Sequence, residues 1–392
     1  MEKMNPLSLV QQNDILRQQF LAMTRPVRRP LPDVTINPAA TRNVQFQLQR
    51  NGLLTGALIT VTTVLTNASA APAILSTFGL ANLVKRLTLT DLSNNVRIDI
   101  DGRSLHALNS ARQGWLYGAA YNTGIPTGFG ANKPIFNAPV SLAAGASTTV
   151  TMQYWLPAAY SNTNLRGAIH KSFFNNAVQI GVELVDRPFG PQVAADAPLR
   201  PVDSVYLTTT LAGADASGYA AASSVVVSCL ESYRDGPAEA SQYLPPLDLA
   251  STYELKTTSL TTPTANADFA IAYASQRETL ASYIIFDNGG TFSDTNLLQS
   301  DLQEASSFVR HRMTQPQIAL AERQTFMADT PDGTSYFDFR DFPINTITQG
   351  AIAMLMRWQQ VLPGSRVFHT TESFLENGIA IGNGSIPSLT GA

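Results

Sequence analysis

From residue 42 onward this chain reads in steps of two. Val44-Gln-Phe-Gln-Leu-Gln49 alternates strictly between apolar and polar side chains, the signature of a strand with one dry and one wet face. Residues 58–65 are dense in β-branched side chains, which pack well on a pleated surface. The same reading predicts strands at 83–90, 96–100, 148–156, 177–185, 204–211 and 223–230. Turn signals separate them, among them Asn51-Gly52, Ser93-Asn-Asn95 and Asp101-Gly102. A boundary falls near Asp235-Gly-Pro237 and Tyr243-Leu-Pro-Pro246. Beyond it, strands are expected at 252–257, 268–274, 280–286, 334–339, 350–357 and 365–370. Leu297, Leu298, Leu302, Ala305 and Phe308 are spaced as on a helix, so residues 296–328 are expected to be helical, split in two at Pro316. Many short strands with turns between them favour sandwiches. The order of features is similar in the two halves, which fits two sandwiches in tandem. The expected divisions are an arm over 1–41, sandwiches over 42–240 and 241–376, and a second, uncharged arm over 377–392.

Only 14% of the 392 residues are charged while 44% are hydrophobic, against about 25% charged in an ordinary globular protein. A surface built from Ala, Ser, Thr, Asn and Gln is cheap to desolvate and suits wide contacts with neighbours. The net charge is −3, which gives no global field for holding nucleic acid. Residues 1–29 carry +3 and the remainder −6. Cys229 is the sole cysteine, so no intrachain disulfide forms, and its place in an apolar strand pattern suits core packing. Gln11, Gln12, Asn13 and Asp14 interrupt the N-terminal apolar pattern, so no signal peptide is expected and synthesis is expected in the cytoplasm. No run of 18 or more apolar residues could span a bilayer as a helix.

The arm begins with a predicted helix. Asn5 is placed to cap it and Pro6 suits its first turn. Leu9, Leu16, Phe20 and Met23 share one face, and Pro26 ends the helix. An extended basic linker follows over 25–32. So short a helix is marginal alone and needs a surface. That surface is either its own domain, or a membrane or neighbouring subunit met by Leu9, Leu16, Arg17, Phe20 and Met23 with Arg25, Arg28 and Arg29 beside them.

Motifs for chemistry are missing. None of the four histidines lies in a His-Glu-x-x-His pattern, and one cysteine cannot build a cysteine zinc site. Neither a Walker-type phosphate loop nor a Gly-x-Ser-x-Gly elbow occurs. Asp99-Ile-Asp101-Gly102 resembles part of a calcium loop, but the register puts Arg97 at its first ligand position and Leu108 at its last. A tight turn between strands explains these residues better. Glu183 with Asp186, or Asp338 with Asp341, could supply a glycosidase pair, though loop bonding is the plainer reading. Tyr154 and Trp155 suit core or interface anchoring more than a sugar platform. No catalytic, cofactor-binding or metal-binding residue is assigned, no cofactor is expected, and the chain does not read as an enzyme.

Several strings are similar to segments of one family. They are Thr77-Phe-Gly-Leu-Ala-Asn-Leu-Val-Lys-Arg86, Asn109-Ser-Ala-Arg-Gln-Gly114, residues 150–161, Tyr243-Leu-Pro-Pro-Leu-Asp-Leu-Ala-Ser-Thr-Tyr253 and Ile285-Phe-Asp-Asn-Gly-Gly-Thr-Phe292. In this order, from the arm to about residue 345, they resemble the major capsid proteins of tectiviruses, tailless bacteriophages with an internal membrane. The resemblance implies an all-β double jelly roll, two eight-stranded sandwiches in tandem, with an N-terminal helical arm and short helices in loops. It implies a homotrimer of near-hexagonal outline that tiles an icosahedral shell in the virion. It further implies contacts with neighbouring trimers, with minor capsid and vertex proteins, and with the inner membrane through the arm, but none with nucleic acid. Residues 186–222 and 293–330 match weakly and read as surface loops. The alternative is a sandwich-type carbohydrate- or receptor-binding protein.

Overall fold

A computed structural model describes residues 8–37, 41–66, 73–74, 81, 83–112, 141–142, 145–171, 176–184, 224–260, 263–288, 296–304, 309–326, 330 and 333–376. In chain order the first half holds α1 (Leu9–Met23), β1 (Arg25–Pro30), β2 (Val34–Ile36), β3 (Asn43–Gln47), β4 (Leu53–Thr66), β5 (Ala73–Ile74), β6 (Val84–Thr90), β7 (Val96–Ile100), α2 (Gly102–Arg112), β8 (Ser141–Leu142), β9 (Ser147–Pro157), β10 (Ile169–His170), β11 (Gln179–Leu184) and β12 (Val225–Asp235). The second half holds α3 (Pro246–Ala250), β13 (Ser251–Leu260), β14 (Asp268–Ala272), β15 (Arg277–Asp287), β16 (Leu297–Glu304), β17 (Val309–Thr314), α4 (Gln315–Phe326), β18 (Thr334–Asp338), β19 (Ile344–Asn345), β20 (Ile352–Trp358) and β21 (Arg366–Glu376).

The strands assemble as two jelly rolls that share one sheet. One sheet of the first roll is centred on β12 and β4. β1 and β2 lie in line along the outer edge of β12, and β9 and β10 along the far edge of β4. It is therefore four rows wide. Its partner is the row β7-β6-β11-β3. In the second roll, β18-β15-β21-β13 faces β14-β20-β16-β17. The inner rows of the two rolls are continuous, because β13 pairs with β7 in parallel, Leu255 opposite Ile98 and Lys256 opposite Asp99. The main apolar core likewise crosses the junction, running from Ile59, Val61 and Leu87 to Tyr253, Tyr283 and Phe374. A second core around Ile284, Phe286, Met354 and Trp358 fills the outer part of the second roll.

The predicted strand positions hold wherever they fall on described residues; 204–211 lies outside them. Three local readings need correction. Residues 297–304 and 309–314 are a β-hairpin, and only 315–326 is helical. Leu297 and Leu302, five residues apart, both face the core because a bulge between Leu297 and Gln299 inserts an extra residue. That odd spacing imitates a helix. Pro316 sits in the first turn of α4, where its missing N–H costs nothing. The linker at 25–32 contains an edge strand, β1. Pro26 and Pro30 are tolerated there because one side of the strand makes no ladder. Asp101-Gly102 opens α2 rather than a strand-to-strand turn, and the Asp101 carboxylate accepts from the Ser104 N–H at 2.9 Å and its hydroxyl at 2.8 Å.

Side chains fasten the junction that β7 and β13 begin. Arg112, the last residue of α2, lies 3.2 Å from Glu372 Oε1 on β21. Arg340 donates to the other carboxylate oxygen at 3.0 Å. The Tyr253 hydroxyl accepts from Arg112 at 2.6 Å and donates to Glu372 at 2.8 Å. Burial alone would raise the Glu372 pKa, but the two guanidiniums and the tyrosine hold it below the usual carboxylate range. Arg103, also on α2, lies over the Phe368 ring at 5.3 Å. Gly167 packs against the same place. Its φ is +86°, and a Cβ there would stand 2.6 Å from Tyr253 Cβ.

Replacing Glu372 with Gln leaves Arg112 without its carboxylate and Arg340 with Asp338 alone, and is expected to cost about 3–5 kcal/mol. Denaturant titration checks this, and a loss under about 1 kcal/mol would remove the cluster from the list of essential contacts. A pH dependence also follows. Burial lowers the imidazole pKa of His106 to about 3 and of His369 to about 4, from 6.5. A group with a depressed folded pKa contributes fully above its unfolded pKa and loses that contribution as pH falls. Thermal midpoints are therefore expected to drop as pH goes from 6.5 toward 4, with a shallower slope in His369→Gln.

Candidate functional site

The arm is where the sequence places recognition, and its seating decides which of its residues are available. The Ser8 hydroxyl accepts from the Gln11 N–H while the Gln11 side chain accepts from the Ser8 N–H. This capping box starts α1. Asn5, the expected cap, lies outside the described residues. The helix rests on the region joining the two rolls. Asn13 is buried, donates to Asp248 at 3.1 Å and accepts from the Leu247 N–H at 3.0 Å. Arg17 clamps the same Asp248 through Nε at 2.7 Å and Nη2 at 2.6 Å. Phe20 enters a small core with Leu53, Leu165, Ala240 and Leu244. At the helix end, Arg234 donates to the Thr24 hydroxyl at 2.9 Å and to the Leu21 and Thr24 carbonyls at 3.0 Å.

These bonds turn the helix about the Asn13–Phe20 line. The residues expected to share one face therefore separate. Phe20 is buried in the chain, Leu16 is half-buried, and Leu9 and Met23 are exposed. Val10 and Ile15, not singled out in the sequence, are exposed beside them. The basic residues divide too. Arg29 pairs with Glu231 and lies over the Tyr233 ring at 5.0 Å. Lys171 completes this buried group at 2.9 Å from Glu231. Arg17 is committed to Asp248, while Arg25 and Arg28 are exposed on β1. Asp248 and Glu231 were the unrecognised anchors. Glu231 had a signal, since it follows Val225, Val227 and Cys229 in the alternation and so faces inward. Asp248 had none.

Elsewhere the candidate chemistry resolves into structure. Glu183 pairs with Lys85 at 2.7 Å, and Asp186 lies outside the described residues. Asp338 pairs with Arg340 at 2.8 Å. Tyr154 is fully buried, its hydroxyl donating to the Ala81 carbonyl at 3.0 Å, so it forms no sugar platform. Cys229 is buried, and burial pushes its thiol pKa up to about 12, the opposite of an activated thiol. Among the described residues no group of His, Cys, Asp and Glu is placed to hold a metal ion.

Comparison with known proteins follows this architecture. The model of the P3 major capsid protein N-terminal domain matches residues 6–235, and that of the C-terminal domain matches 250–388. The major capsid protein P3 of Enterobacteria phage PRD1 is 30% identical over 377 residues, covering 94% of this chain and 92% of that protein. Among solved structures, the crystal structure of the STIV MCP aligns with a TM-score of 0.65 at 11% identity, over 90% of this chain and 97% of that one. A chain from the atomic structure of Sulfolobus Turreted Icosahedral Virus gives 0.62 at 13% identity, over 90% and 91%. With both halves matched in order and the fold shared end to end, the chain belongs to the P3 major capsid protein family.

Proposed function

We propose that the chain forms a homotrimer of near-hexagonal outline that tiles an icosahedral shell around an internal lipid membrane. The family membership makes it a virion component with a structural, non-enzymatic role; trimer and membrane are the further step. The observation that carries it is the shared sheet. Two rolls of similar build, welded through β7–β13 and the Glu372 cluster, make a rigid two-lobed unit. Three such units in a ring offer six similar lobes, a closed arrangement that needs only one head-to-tail contact type, repeated three times. Minor capsid and vertex proteins would meet the tile's remaining faces. The carbohydrate- or receptor-binding alternative loses its main support with Tyr154 inside the core.

The arm is proposed to point toward the membrane. Its exposed apolar side chains Leu9, Val10, Ile15 and Met23 are followed along the arm by the exposed Arg25 and Arg28, a combination suited to the interface of an anionic bilayer. Phe20, Arg17 and Arg29 serve this indirectly, by holding the helix and β1 in place.

Two measurements test these proposals. Averaged electron micrographs of the purified chain are expected to show three-fold particles with six lobes, at three times 42.2 kDa; a monomer would send the reading back to a binding module. Co-flotation with vesicles containing phosphatidylglycerol is expected to fall roughly tenfold or more in Arg25→Gln/Arg28→Gln, at about 1 kcal/mol per arginine. Flotation equal to wild type, or none by either protein, would make the arm a contact between chains instead.

A further inference from the structure

The flank of the second roll holds a feature that the shell reading does not use. A cleft of about 590 Å³ opens between β17, α4 and the loop after β18. Its walls are largely aromatic, with Phe337 and Phe339 stacked at 6.4 Å and His311 lying over Phe337 at 6.1 Å. Inside it, Arg310 Nη1 and His311 Nε2 are buried and have no hydrogen-bond partner among the described residues. A buried guanidinium N–H without an acceptor is costly, and an acceptor from outside would relieve that cost here. The rim of the same cleft carries the complement. Phe342 is 77% exposed, the most exposed large apolar side chain among those described, and Asp341 beside it is exposed as well. Asp338 cannot serve, being held by Arg340.

We infer that this cleft is a self-complementary contact, where two copies of the chain meet about a two-fold axis and each inserts Phe342 and Asp341 toward the other's Arg310. Socket and plug lie on one patch, which is what an isologous contact requires. The aromatic ring would fill the apolar part of the cleft, and the carboxylate would supply the acceptor that Arg310 lacks. The inference rests on the shell-building reading, since a tile must join its neighbours as well as close its own trimer.

The test is charge exchange. Arg310→Glu and Asp341→Arg, made singly, are expected to leave the trimer and its thermal midpoint intact. Each should weaken association of trimers at least roughly tenfold in sedimentation, since like charges then face each other. The double variant should recover most of the loss, because each new glutamate meets a new arginine across the axis. Phe342→Ser should weaken association without recovery by either charge change. Single variants that associate like wild type, or a double variant no better than the singles, would overturn the contact and leave the capsid reading standing. Variants that fail to trimerise would overturn its placement between trimers. A wild-type chain that never leaves the monomer would overturn the shell-building reading and this contact with it.

Discussion

The buried carboxylate of Glu372 is the point on which the two halves of this molecule depend. The backbone junction between the rolls is only two residue pairs long, too little to stop one sandwich rocking on the other. The rest of the joint is a relay that begins at the same strand. β7 pairs with β13, its end delivers Asp101, Asp101 caps α2, and the far end of α2 delivers Arg112 to Glu372. The second roll brings Glu372, Arg340 and Tyr253 to meet it. A buried charge cluster gives little net stability over an apolar core. It does fix geometry, because its bonds are directional and a displaced partner leaves a charge stranded. For a protein whose faces must meet neighbours at set angles, that trade is sensible.

The arm is seated on the opposite principle. One aromatic side chain, Phe20, and a few polar bonds to Asp248 and Arg234 hold a 15-residue helix that would be marginal alone. A helix seated by its apolar face would have turned Leu9 and Met23 inward. Seating it through Asn13 and Arg17 leaves Leu9, Val10, Ile15 and Met23 exposed. Exposed apolar side chains on a docked element are free to be covered by something beyond the chain.

Much of this was legible in the sequence, and the failures have physical causes. Strands with one wet face announce themselves by alternation, so β3, β11 and β20 were plain. β16 was not, because one bulge replaces period two with a five-residue step. α2 was missed although Asp101 and Ser104 stand at cap spacing, because the Asp-Gly pair before them is equally a turn. β1 was hidden by its two prolines, which mark an edge as readily as a linker. The expected helix face is divided, because the helix's rotation depends on Asp248, more than two hundred residues away. The Glu372 cluster joins residues 112, 340 and 372, and no local pattern carries such a contact.

The low charge of the chain takes on more meaning once the ion pairs are placed. With 14% charged residues, the surface already starts neutral. Many of those charges are then committed within the chain. Arg17, Arg29, Arg112, Arg166, Lys171 and Arg340 all pair with carboxylates of the same chain, and several of those carboxylates are fully buried. The outer faces are thus even less charged than the composition suggests, and bringing two of them together strips little hydration. Desolvation being cheap everywhere, it cannot select which faces join. Selection must come from shape and from the few charges left in informative positions. A half-buried arginine with one buried N–H group that has no acceptor among the described residues, in the same cleft as an exposed aspartate and phenylalanine, is such a position, and on a neutral surface it would count for more than on an ordinary one.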